Sequence, residues 1–341
     1  METRKGRTKL FFYGSLTTAI YQFFLMLSGF IIPRLMLTAY GSELNGLVSS
    51  ISQLISYLTL IEAGLSASII YALYKPLAAN DHKKINSILS AAKKGYFQIG
   101  YIFTFLVLLL AAVYPVWKPS RYLSGELVFL LVLALGLKGV IDFFSLAKYR
   151  CLLSADQKTY VISLASIVYQ VLQVLIVVVL TVCRVNIVVV YWTALLAVSL
   201  RSFILWLYIK RQYPYVRYDS EPDAVALSKR WDALYQQLLG AAQNSVPIFI
   251  ATVYCTLSQV SVFTVYNMVI SGVNGVMGIF ISGLAASFGD VLAKKQQDIL
   301  ERSYEVFMFA YSCVNTFVYS ISAIMIVDFV KIYTADIRDE N

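Results

Sequence analysis

The segment YFQIGYIFTFLVLLLAAVYPVW, residues 96–117, runs for 22 positions without an acidic or basic side chain. As a helix rising 1.5 Å per residue it spans about 33 Å, enough to cross a hydrocarbon core of about 30 Å. Apolar stretches of 18 or more residues recur along the chain, separated by short polar ones. Backbone inside a bilayer must satisfy its own hydrogen bonds, so this pattern restricts the fold more than any other feature. Composition points the same way. The chain is 59% hydrophobic and only 14% charged, with mean hydropathy +0.70, whereas soluble domains carry about 25% charged residues. The expected fold class is an all-α polytopic membrane protein.

Nine spans are predicted: 10–37, 45–73, 96–117, 126–148, 160–182, 186–208, 234–255, 260–284 and 305–330. Of the 28 Lys and Arg residues, 20 lie in the N-terminus and the alternate loops 74–95, 148–159, 209–233 and 289–304. Six lie on the opposite side, and two, Lys138 and Arg201, fall within spans. Such a bias places the N-terminus in the cytoplasm. It also makes the net charge of +9 a topology signal rather than a nucleic-acid footprint. No cleavable signal peptide is apparent, so METRKGRTK leads into an uncleaved first span.

Residues 64–68 read GLSAS and residues 283–287 read GLAAS, 219 positions apart. Shifting the chain by 219 lays spans 1, 2 and 3 over spans 7, 8 and 9 in order and orientation. A parallel repeat of this kind implies two related lobes. On that reading residues 1–208 form a first lobe of six spans, 209–233 a polar cytoplasmic linker, and 234–341 a partial second lobe. The closing segment VKIYTADIRDEN looks like a short loop before a further helix, so the second lobe is expected to be incomplete.

Ionisable groups inside spans cost about 2.5–3.5 kcal/mol each and mark pathways or paired contacts. Lys138 lies near the middle of span 4, with Asp142 one turn further along the same face. Two readings stand for them, a self-compensating pair and a cation lining a cavity with Asp142 tuning it. Arg201 has no carboxylate in its own span, so it is either solvated in a cavity or reaching for the interface. Glu62, just before GLSAS, is a candidate partner for one of these cations or an ion-coupling site. Arg34, after Pro33 near the outer end of span 1, is explained by snorkelling alone. Among the membrane amides, Asn244 and Asn274 rank first by depth, although helix–helix hydrogen bonding is the commoner role of such groups. Gly272, Gly275 and Gly278 lie within a span and read as close helix packing, not as a phosphate loop. His82 reads as a solvated loop residue. The four cysteines show no metal spacing, so neither metal nor cofactor is expected. The chain lacks a GxxxxGK[ST] loop, an HExxH and a GxSxG, which argues against bound-ATP drive and against an enzyme.

The segment IIPRLMLTAYGSELNGLVSSISQLISYLTLIEAGLSASIIYALYKPLAANDHKKINSIL, with the basic N-terminus before it, carries a family resemblance. A Pro-Arg pair closes helix 1, a YGxxxxG turn follows at Tyr40, Gly41 and Gly46, and helix 2 ends in ExGLxxA/S. In these features the chain resembles the oligosaccharide-flippase branch of the multidrug/oligosaccharidyl-lipid/polysaccharide exporter superfamily. The resemblance implies a V-shaped, two-lobe bundle of twelve to fourteen helices in the bacterial cytoplasmic membrane. It also implies flipping of undecaprenyl-pyrophosphate-linked oligosaccharides for surface polysaccharide assembly, with polymerase and glycosyltransferases as possible partners. A pyrophosphate needs fixed cations, so Lys138 and Arg201 are the leading substrate-binding candidates by depth, with Arg34 carried over from the Pro-Arg pair and Asn244 and Asn274 beside them. The alternatives are an ion-coupled small-molecule or drug antiporter of the same superfamily, relying on Glu62 and Asp142, and a non-transporting membrane scaffold.

Overall fold

The computed structural model describes residues 2–223, 246–293 and 297–335. Among these residues every regular element is helical. The elements are α1 (Glu2–Thr59), α2 (Ala63–Ala79), α3 (His82–Trp117), α4 (Gly125–Ile141), α5 (Ala147–Ala155), α6 (Thr159–Val182), α7 (Ile187–Gln212), α8 (246–254), α9 (Leu257–Ala293) and α10 (Gln297–Tyr333). A 3-10 turn, Leu60–Glu62, joins α1 to α2, and a π-helical turn, Asp142–Leu146, joins α4 to α5.

Helix starts carry the expected caps. Asp81 accepts from the Lys84 backbone N–H at 3.0 Å, Ser124 from that of Leu127 at 3.4 Å, and Asn186 from that of Val188 at 2.9 Å. Each satisfies a donor that the first helical turn leaves open.

Six helical stretches among the described residues are long and apolar enough to cross a membrane, against nine expected. Part of the difference lies in α1. Its stretch Leu16–Thr59 is 44 residues, or about 66 Å of helix, twice a bilayer core. It breaks at Gly41, where φ is 82° and ψ 172°, a conformation that glycine reaches at little cost. A Cβ on Gly14 would touch Thr159 at the start of α6, whereas the Tyr40 hydroxyl donates to the Val185 carbonyl at the end of α6, at 2.6 Å. Glu62 is back beside Arg150 at the near end. The chain therefore crosses, turns at Gly41 and returns, as spans 1 and 2 require.

The turns between helices gather at two ends. At one, Glu43 accepts from the Ser120 hydroxyl and the Arg121 N–H, both at 2.7 Å, and the Lys118 ammonium donates to the Cys255 carbonyl at 3.0 Å. At the other, the 213–223 segment is fastened to α3 and to the turn after α5. Asn86 donates to the Tyr215 carbonyl at 3.0 Å, Ser87 to that of Glu221 at 2.6 Å, and the Tyr213 hydroxyl to Asp156 at 2.5 Å. Burial, with Asp156 next in weight, pushes the Tyr213 hydroxyl far above its ordinary pKa, so it stays a donor.

Two expectations are corrected here. Residues 148–159, read as a loop, are helical as far as Ala155. His82, read as a solvated loop residue, opens α3 and stacks on Tyr215 with ring centroids 3.9 Å apart.

The repeat takes a different register from the one the echo suggested. His82 and Gln297, which start α3 and α10, are 215 positions apart, and the ends Trp117 and Tyr333 are 216 apart. Ala79 and Ala293, which end α2 and α9, are 214 apart. Helix boundaries thus recur at 214–216, about one helical turn short of 219. GLSAS and GLAAS are not structurally equivalent strings, although the three-helix pattern does recur.

Close approach of α3 and α4 uses two glycines one turn apart. A Cβ on Gly136 would lie 2.3 Å from Val107 Cγ1, and one on Gly139 would lie 2.6 Å from Phe103 Cζ. Gly136→Ala is expected to destabilise the protein by about 1–3 kcal/mol through overpacking. Thermal unfolding of the detergent-solubilised protein measures this.

Candidate functional site

Gly136 and Gly139 face α3, and each helical residue turns the side chain by about 100°. Lys138, two positions after Gly136, therefore points away from α3. Its ammonium lies 5.4 Å from the ring centroid of Tyr169 on α6. Tyr169 is 3% exposed and packs with Ala197, Val198 and Ile141. Below Lys138, α4 opens into the π-helical turn headed by Asp142; such turns re-aim side chains and recur at functional sites.

Asp142 Oδ1 pairs with Arg201 Nη2 of α7 at 2.5 Å, with side chains 21% and 11% exposed. The guanidinium carbon of Arg201 lies 4.7 Å from the same Tyr169 ring, and its buried Nε has no hydrogen-bond partner. Two cations thus share one aromatic face, and one carboxylate sits between helices α4 and α7. The formal charge of the group is +1. Among the described residues Lys138 has no ion pair.

This geometry settles two open readings. Arg201 is neither free in a cavity nor reaching for the interface, because a carboxylate from another helix holds it. Asp142, placed with Lys138 by spacing, makes its ion pair with Arg201 instead. Tyr169 was missed; its mid-span position beside Gln170 was the available signal. Gln170 itself donates to the Ser28 hydroxyl of α1 at 2.6 Å and ties α6 to the first crossing.

Glu62 lies outside this group. It accepts from Arg150 Nη2 and from the Ser66 hydroxyl, both at 3.0 Å. Ser66 continues to the Tyr96 hydroxyl at 2.7 Å, which meets the Cys151 thiol at 2.9 Å. The expected partnership of Glu62 with an in-span cation is therefore corrected: its cation is Arg150, counted above as a loop residue.

Arg34 lies over the ring of Tyr333, 5.8 Å from the centroid, where the Tyr333 hydroxyl donates to the Phe30 carbonyl at 2.6 Å. Asn274 is exposed and accepts from the Tyr319 hydroxyl, a contact between α9 and α10. Asn244 lies outside the described residues. Gly272 packs on Phe30 of α1, with a built Cβ 3.3 Å from Cζ. It lines, with Gln22, Gly29, Met268 and Gly275, an apolar cavity of about 270 Å³ between α1 and α9. Among the described residues no group of three or more His, Cys, Asp or Glu could hold a metal ion.

No protein-family model and no curated protein matches the sequence. Two solved structures share its fold. One is described as the inward-facing conformation of a multidrug resistance MATE family transporter of the MOP superfamily. It has a TM-score of 0.68 at 15% identity over 94% of this chain and 76% of its own. The other, described as a MATE structure in the bent conformation, has a TM-score of 0.63 at 15% identity over 97% of this chain and 75% of its own. At this identity the likeness speaks for the fold alone, and the fold is an all-helical one similar to that of MATE-type transporters.

Proposed function

We propose that the chain is a multi-pass membrane transporter that moves an anionic, lipid-linked oligosaccharide, of the undecaprenyl-pyrophosphate class, by alternating access. In this reading α1–α7 form the first lobe and α8–α10 belong to the second. One observation carries the choice of an anion: Glu62 and Asp142, the two membrane carboxylates proposed for cation coupling, are each neutralised by an arginine, while Lys138 is left without a counter-ion. A net-positive, aromatic-walled group deep among apolar helices favours phosphate oxygens over a cationic drug.

The test is complementation of a bacterial strain lacking its flippase. Lys138→Ala is expected to lower surface polysaccharide at least tenfold, and Lys138→Arg to restore most of it. Wild-type polysaccharide from Lys138→Ala overturns the assignment.

A second reading, an ion-coupled small-molecule antiporter, is favoured by the fold shared with a structure described as a multidrug resistance transporter. On that reading protonation of Asp142 frees Arg201, and Asp142→Asn abolishes drug efflux while leaving polysaccharide export unaffected.

A further inference from the structure

A second basic group lies at the end of the bundle where the 213–223 segment docks, away from Lys138 and Arg201. Lys148 of α5 places its ammonium 5.1 Å from the ring centroid of Tyr149, 5.3 Å from that of Tyr218 and 5.9 Å from that of Phe97. Lys93 of α3 places its own ammonium 6.0 Å from the same Phe97 ring. Two like charges therefore share one aromatic wall. Among the described residues neither lysine makes an ion pair or donates a hydrogen bond to a protein acceptor. Asp219, next to Tyr218, is exposed and pairs with neither.

Tyr218 adds a donor. Its hydroxyl is buried with no hydrogen-bond partner, and burial, with Tyr149 and Cys151 as lesser causes, keeps it protonated far above its ordinary pKa. Three donors converge and no acceptor answers them, which is costly unless a ligand supplies one.

The surroundings say what kind of ligand. After Lys94, α3 carries no charge until Lys118, so Lys93 sits where polar sequence gives way to the membrane-crossing part. On the same helical face, at four-residue steps, follow Phe97, Tyr101, Phe105 and Leu109. The last three are 66%, 65% and 51% exposed. Phe144 packs against Phe97 and Tyr101 at 5.0 and 5.2 Å. Leu109 borders an apolar cavity of about 540 Å³ between α1, α3 and α8, lined also by Leu54, Tyr57, Val246 and Phe249. A paired cation at the foot of a continuous apolar track matches an amphiphile with a phosphate head and acyl tails.

The geometry points to a binding site for an anionic membrane phospholipid, with its phosphate held by Lys93, Lys148 and the Tyr218 hydroxyl and its acyl chain lying along the Phe97–Leu109 face. This site is independent of what the protein transports. Basic clusters at a membrane surface attract anionic headgroups; here the aromatic walls and the buried donor add direction.

The test uses the purified full chain in detergent, titrated with phosphatidylglycerol, phosphatidylcholine or inorganic phosphate while thermal unfolding is followed. Phosphatidylglycerol is expected to raise the midpoint saturably, and the other two to have little effect. The Lys93→Gln/Lys148→Gln variant should need about thirtyfold more phosphatidylglycerol, whereas Lys94→Gln, on an exposed neighbour, should match wild type. An unchanged titration in the double variant overturns the site. Equal stabilisation by inorganic phosphate would assign a soluble anion instead, and equal stabilisation by phosphatidylcholine a general lipid effect; either overturns the proposal. If the double variant does not fold, Tyr218→Phe decides: a several-fold weaker response supports the site and an unchanged one refutes it.

Discussion

Arg201→Met is expected to cost about 3–5 kcal/mol of stability, because it strands Asp142 as an unpaired charge among apolar helices. Both side chains are largely buried, 11% and 21% exposed, and the contact is short at 2.5 Å. Attraction between charges strengthens as the local dielectric falls, and so does the penalty for leaving one alone. Asp142→Asn should be harmful for the mirror reason, since it leaves Arg201 uncompensated beside Lys138. The double variant Asp142→Asn/Arg201→Gln removes both charges and keeps polar groups facing each other across α4 and α7. It is expected to recover most of the stability lost in either single variant, a coupling of at least about 2 kcal/mol. Thermal or denaturant unfolding in detergent measures the cycle, and strictly additive effects would rule out the pair as a coupled unit. The same double variant separates folding from function. If Arg201 contacts substrate, transport stays lost although the protein is stable again; if it only braces α7 against α4, transport returns.

The candidate charges themselves were legible in the sequence, because a lysine or arginine within an apolar run stands out by depth. Their pairing was not. Asp142 and Arg201 are 59 positions apart on different helices, and linear spacing offered Lys138 as the nearer partner. Nothing in DFFSL marks a π-helical turn, yet that turn changes the register of Asp142 relative to Lys138. Arg150 was hidden for a different reason. Hydropathy falls after residue 148, so the region reads as a loop, whereas the helix continues to Ala155 and carries Arg150 to Glu62. Hydropathy reports where lipid ends, not where a helix ends. The repeat shows the same limit. Chain-length pattern revealed the recurrence of three helices, but five common small residues set its offset one turn off, since such residues suit many positions on a packed helix. Gly41 was the opposite case. The YG pair was noticed as part of a family turn, and its positive φ supplies the physical reason.

Gly46→Ala is expected to separate the two helices that meet most closely between the first and last parts of the chain. A Cβ built on Gly46 of α1 lies 1.8 Å from the Leu257 carbonyl oxygen, 2.7 Å from its carbon and 3.2 Å from the Ser261 nitrogen at the start of α9. All three are backbone atoms, so no rotamer change relieves the clash and the helices themselves must move. Reaching an ordinary contact of 3.4 Å from 1.8 Å requires a shift of about 1.6 Å. That shift also breaks the adjacent buried hydrogen bond from Asn45 Nδ2 to the Ser261 hydroxyl, 2.8 Å long. The seam lies at the end of the bundle that holds the Gly41 turn, with Leu37, Val265, Val330 and Tyr333 clustered beside it. If the protein works by alternating access, this contact exists only in the state closed at that end. Overpacking of about 1–3 kcal/mol then depletes that state about 5- to 150-fold relative to its alternative, rather than unfolding the whole bundle. Spin labels at Thr38 and Gln259, introduced on a background without native cysteines, report the change by pulsed electron paramagnetic resonance. The distance distribution should gain a longer population in Gly46→Ala. Gly29→Ala is the control on the same helix, because a Cβ there meets nothing within 4 Å, and its distribution should match wild type. A wild-type distribution together with a wild-type melting temperature in Gly46→Ala would mean that α1 and α9 do not meet at Gly46 as described, and that the closed end is held by other contacts.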